Sequence, residues 1–393
     1  MHGAVDCKVY RPFFMRATLP LARFDPKLRQ MSQPTPSSEL VLAEQHDAAG
    51  RNDDAINALA RGTGAGDLSC MTLLGKRLLV GDRAPLLAAE GARFLQDAAL
   101  RGGAEAAARM ASLAALGLYC TQNWQQALRW LILAAERHWQ PAHRQLLALA
   151  NIAATTEGAP TPPRDWSGVA ADIDFARWRN AAASRELSTD PQVRVLEAFI
   201  TATICDWMIA RSQSCLTRAR VYDPVNRRDV VGTTRTNSVA NFNLAQIELL
   251  DVLLQARMSA ACGVPMCNME APAVLHYAAG EEAAEHYDFV SPDLPNYAQE
   301  IDRNGQRIVT FLIYLNDDYE GGETSFPTLG LNHKGRRGEG LFFVNSHTDM
   351  QPDLRMLHAG RAPTRGEKWI VSQFIRSRAT LIPIPARAVY QAR

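Results

Sequence analysis

The chain of 393 residues exceeds one ordinary domain, so its length predicts two or three folded units with a sizeable core. Its hydrophobic share of 47% and charged share of 21% are those of a globular protein. A formal net charge of +1 gives no electrostatic case for nucleic acid or an anionic membrane, so we expect neither as a partner.

Residues 1–38 mix basic residues with prolines and contain no continuous apolar core of the kind that a secretory signal needs. We therefore expect a disordered N-terminal segment. Met31, followed by a polar stretch and then a helical pattern, is a candidate for the true start.

Residues 39–156 are rich in Ala and Leu, with apolar residues at the spacings of three and four that amphipathic helices show. The segment that begins at Ala92 returns at Leu128, an offset of 36 residues. A weaker copy begins near Ala55, with residues 60–62 aligned on residues 99–102. A period of this length predicts stacked helix pairs.

These repeats resemble the Sel1-like branch of the tetratricopeptide family. The resemblance leaves two roles open: a concave surface that binds a peptide, or helices that buttress another domain. Trp124, Trp130 and Trp139 could line a groove, although Trp130, at an internal helical position, also fits a core residue.

Three prolines and a glycine in residues 157–165 predict a linker. Residues 166–262 form a predicted helical and connecting segment that supports the following domain. Helical patterns cover residues 173–183, 191–210 and 241–261, and we expect the last of these to pack against a sheet.

Seven cysteines are spread through the chain without a paired framework, which favours a reducing, cytoplasmic location. Cys262 and Cys267 are too far apart for a CxxC motif and have no second pair nearby, so we interpret them as packing residues. The most apolar stretch, residues 195–210, is interrupted by Glu197 and Asp206, which predicts a buried helix and not a membrane span.

Within residues 263–393, from about Glu270, short apolar or alternating runs are broken by Gly, Pro, Asn and Asp. This pattern predicts short strands in a sandwich or jelly roll. His286 and Asp288, two residues apart, would lie on one face of a strand and reach the same ion. By itself such a pair is weak evidence, since solvated strands carry it by chance.

His358 would complete a set of two histidines and one carboxylate, which holds iron(II) and leaves three positions open. Lys368 supplies a cation for the far end of a dicarboxylate. The two-residue period of its strand would put Lys368, Phe374 and Arg376 on one face.

These residues stand in motifs that resemble the prolyl 4-hydroxylase branch of the 2-oxoglutarate oxygenases. The resemblance extends weakly upstream to Arg235. The matching elements are Tyr277, Arg307, Thr310, Tyr314-Leu315-Asn316, Gly321-Gly322-Glu323-Thr324, and HxGxxPxxxGxKW from His358 to Trp369.

The resemblance implies that Fe(2+) is bound by His286, Asp288 and His358. It implies that Lys368 pairs with the distal carboxylate of 2-oxoglutarate and that Tyr277 donates a hydrogen bond to it. Oxygen is then the other cosubstrate, and ascorbate is a candidate cofactor.

Three further positions bear on cosubstrate and substrate. Thr310 is a weaker cosubstrate candidate, and Arg307 matches an arginine that can face the substrate, with a structural ion pair as the open alternative. Phe374 stands where the family usually has tryptophan, and Arg376 offers an additional cation, so both are candidate substrate-binding residues. His276 and His347 have no place in the motifs and are interpreted as structural or exposed.

The fold class implied is an α+β multidomain chain, with an N-terminal helical repeat array and a C-terminal double-stranded β-helix (jelly-roll) domain with supporting helices. The leading functional hypothesis is hydroxylation of a prolyl residue in a protein or peptide, with 2-oxoglutarate converted to succinate. One alternative is hydroxylation of a free amino acid or another small molecule. A second is a non-catalytic peptide-binding repeat protein with a decayed oxygenase fold, against which the intact metal set and Lys368 argue.

Overall fold

The computed structural model describes residues 37–152, 165–180, 183–223, 228–230, 232, 234–291 and 297–380. The predicted disordered segment 1–38 and the predicted linker 157–165 lie outside the described residues, except for residues 37, 38 and 165. In the described ranges, no helix is long and apolar enough to span a bilayer.

The first part of the described chain is a helical array. Its helices are α1 (Ser38–Ala48), α2 (Asn52–Gly64), α3 (Leu68–Val80), α4 (Ala88–Leu100), α5 (Ala104–Leu116), α6 (Trp124–Glu136) and α7 (Gln140–Leu149). Helices α2, α4 and α6 begin at residues 52, 88 and 124, and α3, α5 and α7 begin at residues 68, 104 and 140. The predicted period of 36 residues is thereby confirmed.

The turn inside each helix pair repeats with the same period. Gly66 and Gly102 have φ angles of +89° and +117°, a region that glycine enters without steric cost. His138 occupies the equivalent position in the third helix pair, with a φ angle of +62°. The first copy therefore aligns Gly66 with Gly102. The predicted alignment of residues 60–62 with residues 99–102 is wrong, because the glycine that suggested it lies within α2 and not in the turn.

The tryptophans of the array lie in its core. Trp124 and Trp130 are 8% and 5% exposed, and Trp139 packs partly buried against the same cluster. The ring of Trp124 also contacts Phe175, with ring centroids 5.7 Å apart. These positions favour the core interpretation over an open groove lined by the three rings.

The remaining elements form the C-terminal half. The helices are α8 (Trp166–Ala170), α9 (Phe175–Trp178), α10 (Ala202–Gln213), α11 (Leu249–Cys262) and α12 (Tyr297–Asn304). The strands are β1 (Ser184–Ser188), β2 (Val193–Leu196), β3 (Thr217–Arg218), β4 (Val221–Asp223), β5 (Arg228–Val230), β6 (Ser238–Asn241), β7 (Ala273–Tyr277), β8 (Ala283–His286), β9 (Arg307–Tyr314), β10 (Glu320–Gly321), β11 (Thr324–Phe326), β12 (Leu331–His333), β13 (Gly340–Val344), β14 (His358–Gly360), β15 (Pro363–Arg365) and β16 (Lys368–Arg376).

Two sheets face each other around an apolar core, as in a jelly roll. The large sheet has the order β1-β2-β13-β9-β16-β7-β6-β3, and the small one has the order β12-β11-β14-β8. Leu312 and Ile370 of the large sheet share a buried cluster with Ala283 and Phe326 of the small one. The opposite face of the large sheet packs against α11, as predicted for the last helical pattern.

The structure corrects the predicted organisation of residues 166–262. Residues 193–196 form strand β2 and not part of a helix, because the side chains of Val193 and Val195 are buried where β2 pairs with β1 and β13. The predicted helix over residues 173–183 is limited to α9, and the one over residues 241–261 begins only at Leu249. Because β1, β2, β3 and β6 belong to the large sheet, the predicted boundary at residue 263 divides that sheet.

A buried polar contact joins the array to the C-terminal half. Arg109 of α5 and Gln145 of α7, at equivalent positions of the 36-residue repeat, bind the two carboxylate oxygens of Glu248, the residue that caps the N-terminus of α11. Arg109 also donates to the carbonyl oxygens of Ala245 (3.2 Å) and Ile247 (3.0 Å). Two successive repeats therefore contact the start of the helix that supports the large sheet.

Candidate active site

Two histidines and one aspartate converge where β8 and β14 pair. His286 ends β8 and His358 begins β14, and the two are cross-strand partners with ring centroids 4.4 Å apart. Asp288 follows two residues after His286, and its carboxylate lies 3.5 Å from Nε2 of His286 and 3.2 Å from Nε2 of His358. One potential ligand atom from each residue lies within 4.8 Å of the others, so the three side chains can reach a single metal ion.

Backbone carbonyls hold both imidazole rings. Nδ1 of His286 donates to the carbonyl oxygen of Ala284 (2.7 Å), and Nδ1 of His358 donates to that of Met356 (2.9 Å). A proton on Nδ1 leaves the Nε2 lone pair of each neutral ring available to a metal. Sequence reasoning could not identify these partners, because any residue can supply a carbonyl.

Burial and mutual charge set the protonation of the three groups. Burial, reinforced by nearby His358, lowers the pKa of His286. Burial opposes ionisation of Asp288, yet both histidines together bring its pKa well below the ordinary range. The same aspartate outweighs burial at His358 and raises the pKa of that ring. The site therefore carries a fixed carboxylate charge that a cation can neutralise.

A buried lysine begins strand β16 of the large sheet. Lys368 is fully buried and pairs across strands with Tyr277. Its Nζ donates to the carbonyl oxygen of Gly322 (2.7 Å) and lies 5.4 Å and 5.7 Å from the ring centroids of Tyr277 and Tyr314. Burial lowers the pKa of Lys368 to about 7, against a raising contribution from Glu323. An anion bound here would restore the charged form of the amine.

Two motif segments fix the position of that lysine. Gly321 and Gly322 adopt φ angles of +67° and +71°, which side chains disfavour, and their turn presents the carbonyl that receives Nζ. Asn316 donates to the carbonyl of Glu367 (2.7 Å) and accepts from the backbone N–H of Trp369 (2.8 Å). Asn316 therefore holds the backbone on both sides of the lysine.

Thr310 lies beside the metal-binding candidates. Its hydroxyl donates to Oδ2 of Asp288 (2.7 Å) and accepts from Nδ2 of Asn345 (2.9 Å). A contact between Thr310 and 2-oxoglutarate stays a prediction.

The candidate substrate residues form a buried cluster around Glu270. Arg307 pairs with both carboxylate oxygens of Glu270 (2.7 and 2.8 Å), and its guanidinium lies 3.8 Å from the ring centroid of Phe374. Arg376 binds the same Glu270 (2.6 Å) and Glu300 (2.7 Å). Both arginines are 1% exposed, which matches the ion-pair alternative for Arg307. The additional cation that Arg376 was expected to offer is thus paired with carboxylates, and a substrate role for these residues stays a prediction.

The two histidines outside the motifs, which the sequence predicts to be structural or exposed, differ from the three metal-binding candidates in hydrogen bonding and exposure. Nε2 of His276 lies 2.7 Å from Glu367, and its ring packs on Trp369 with centroids 4.3 Å apart. His347 has a side chain that is 49% exposed.

Comparison with known proteins identifies the family. A family model described as the 2OG-Fe(II) oxygenase superfamily matches residues 272–376. Prolyl 4-hydroxylase 1 of Arabidopsis thaliana is 30% identical over 233 residues, which cover 53% of this chain and 80% of that protein. The chain belongs to the prolyl 4-hydroxylase family of 2OG-Fe(II) oxygenases.

Two solved structures are also similar to parts of the chain. The viral collagen prolyl hydroxylase of Paramecium Bursaria Chlorella virus-1, in complex with 2OG, is 24% identical, with 47% of this chain and 96% of that chain covered and a TM-score of 0.37. A Sel1 repeat protein from Oxalobacter formigenes is 17% identical, with 36% and 60% covered and a TM-score of 0.27.

Membership of the family establishes the chemistry of the chain. It is a prolyl 4-hydroxylase-like dioxygenase that uses Fe(2+), 2-oxoglutarate and O2. The donor set of two imidazoles and one carboxylate fits Fe(2+) with positions left open, and the buried amine of Lys368 fits a carboxylate.

Sequence reasoning missed two asparagines at this site. Asn316 belongs to the quoted Tyr-Leu-Asn motif, and that membership was the available signal for a role. Asn345 ends the apolar run of β13, and nothing in that run indicated that its side chain would reach Thr310.

Proposed function

We propose that His286, Asp288 and His358 bind Fe(2+), that Lys368 and Tyr277 bind the distal carboxylate of 2-oxoglutarate, and that the chain hydroxylates a prolyl residue in a protein or peptide. The observation that carries the proposal is the convergence of the three ligand side chains, all buried, at the junction of β8 and β14.

Each group has a defined task in this proposal. Asp288 supplies the negative charge that retains a divalent cation, and the two imidazoles supply neutral donors whose orientation the backbone fixes. The amine of Lys368 is held between two aromatic rings, where little water can compete for an incoming carboxylate. When bound, iron and 2-oxoglutarate supply the oxidising chemistry that yields succinate, carbon dioxide and a hydroxylated product.

The substrate class rests on the relatives. The Arabidopsis relative is named a prolyl 4-hydroxylase, and its similarity covers most of its length, which supports a prolyl residue as the target. Ascorbate as a further cofactor stays a prediction from the resemblance. We also propose a cytoplasmic location, on the cysteine pattern alone.

Anaerobic addition of Fe(2+) and 2-oxoglutarate tests the metal assignment. We expect a weak visible charge-transfer band in the wild-type protein and its loss in His286→Ala and Asp288→Ala. His347→Ala, a matched histidine change at an exposed position, should keep the band. A wild-type protein that shows no band and releases no succinate would refute the proposal.

Succinate release also tests the substrate class. Proline-rich peptides should stimulate release, whereas free proline should not. Stimulation by free proline alone would instead support the small-molecule alternative.

A further inference from the structure

The hydroxyl of Thr310 links the carboxylate of Asp288 to a buried asparagine. Thr310 lies on β9 and is 1% exposed, and Asn345, directly after β13, has no exposed surface. Asn345 Nδ2 lies 2.9 Å from Thr310 Oγ1, which in turn lies 2.7 Å from Oδ2 of Asp288. The three side chains form an unbranched chain of hydrogen bonds that ends on a proposed metal ligand.

The direction of these hydrogen bonds follows from the donor inventory. A threonine hydroxyl has one hydrogen, and an ionised carboxylate can only accept, so Thr310 must donate to Asp288. The lone pairs of Oγ1 then need a donor, and the amide nitrogen of Asn345 is the donor that faces them. An amide turned the other way would compete with Asp288 for the single hydrogen.

The main chain of Asn345 is held by two hydrogen bonds. The N–H of Asn345 donates to the carbonyl of Ile308 (2.8 Å), and its carbonyl accepts from the N–H of Asp353 (3.0 Å). The side-chain oxygen Oδ1 of Asn345 is buried and has no hydrogen-bond partner in the described part of the chain. Buried acceptors are seldom left unpaired, because an unpaired one is unfavourable. The unpaired Oδ1 of Asn345 therefore accompanies the orientation in which Nδ2 donates to Thr310.

We propose that Thr310 and Asn345 are positioning residues for the metal site. Asn345 orients the hydroxyl of Thr310, and that hydroxyl fixes the orientation of the Asp288 carboxylate, which would bind the ion. The inference rests on the proposed function of Asp288 as an iron ligand, and it gives Thr310 a role that does not require contact with 2-oxoglutarate.

The affinity of the protein for Fe(2+) alone tests this proposal. Anaerobic competition with a chromogenic chelator, without 2-oxoglutarate or substrate, measures it directly. Thr310→Val removes the hydroxyl at nearly constant shape and should weaken Fe(2+) binding about 10- to 100-fold. Thr310→Ser keeps the hydroxyl and should stay within about threefold of wild type. Thr72→Val, a matched change at a buried threonine of α3, should leave the affinity unchanged.

A double variant tests whether Asn345 acts through Thr310. Asn345→Leu should weaken Fe(2+) binding less than Thr310→Val does. The double variant should bind no more weakly than Thr310→Val alone, since the hydroxyl that Asn345 orients is already gone. Losses that multiply would show that Asn345 acts independently and would overturn the proposed order.

Thermal unfolding without metal separates positioning from general damage. The positioning role predicts that Thr310→Val loses metal affinity even at temperatures where the metal-free variant is fully folded. A folded Thr310→Val protein that binds Fe(2+) within about twofold of wild type would overturn the inference. Failure of the wild-type protein to bind Fe(2+) would overturn the proposed function itself, so the two failures are distinguishable.

Discussion

Replacing Lys368 by methionine should stabilise the metal-free protein while it removes 2-oxoglutarate binding. The amine is fully buried, contacts one carbonyl oxygen and two aromatic rings, and has its pKa lowered to about 7. Relative to the ordinary lysine pKa, this corresponds to about 5 kcal/mol of unfavourable free energy for the charged form in the fold. Lys368→Met also leaves the carbonyl of Gly322 without its donor, which costs about 1–3 kcal/mol.

The net gain expected for Lys368→Met is therefore about 2–4 kcal/mol below pH 7, a rise of several degrees in the unfolding midpoint. Above pH 7 the folded wild-type protein loses the proton while the unfolded chain keeps it. Wild-type stability then rises with pH until the ordinary lysine pKa is reached. The advantage of the variant should shrink over the same range.

Thermal unfolding of both proteins from pH 6 to pH 9, without metal or 2-oxoglutarate, measures this difference. Lys334→Met is the matched control, since Lys334 also contacts a backbone carbonyl and a tyrosine ring but is exposed. The control should change little at any pH. A Lys368→Met protein less stable than wild type by the same amount at pH 6 and pH 9 would refute the reasoning.

Three further variants test other parts of the structure. Asn316→Ala removes both bonds that bracket the lysine and should raise the KM for 2-oxoglutarate about tenfold with little change in kcat, as steady-state kinetics would show. Glu270→Gln deprives two buried arginines of their counter-charge and should cost about 3–5 kcal/mol in thermal unfolding. Burial opposes ionisation of Glu270, yet the arginines lower its pKa, so its stabilisation holds at neutral pH and is lost as the pH falls through that lowered value, a dependence that the glutamine variant should lack. Glu248→Ala should lower the free energy of unfolding by a similar amount, as thermal unfolding would show. It should also reduce the succinate that the protein releases in the absence of peptide.

The convergence of the three candidate metal-binding side chains could be predicted because metal binding restricts residue type. Only a few side chains can hold iron(II) and leave positions open, so His286, Asp288 and His358 stand out once their order and spacing are seen together. The 36-residue helix period was equally accessible, because each repeat must bury the same face against its neighbour.

The partners of those residues could not be predicted, because pairing depends on strand register and backbone position. Glu270 meets Arg307 and Arg376 only because β9 and β16 lie side by side and bring the two arginines into register. The sequence predicts helix at β2 because an apolar run of a few residues has no decisive period. Its pairing with β1 and β13 depends on contacts between residues distant in the chain.

The contact at Glu248 favours a buttressing role for the helical array over a role in binding a peptide. Arg109 and Gln145 hold equivalent positions in successive repeats, so the same face of the array binds α11 twice and is unavailable to a peptide there. Helix α11 in turn donates through Gln255 to the carbonyl of Glu270 and to Gln373 of β16, the strand that begins with the buried lysine. Removing the array would leave Glu248 without its arginine, at the N-terminus of the helix on which the catalytic sheet rests. A peptide that binds the array would therefore have to use a surface other than the part of α5 and α7 that contacts α11.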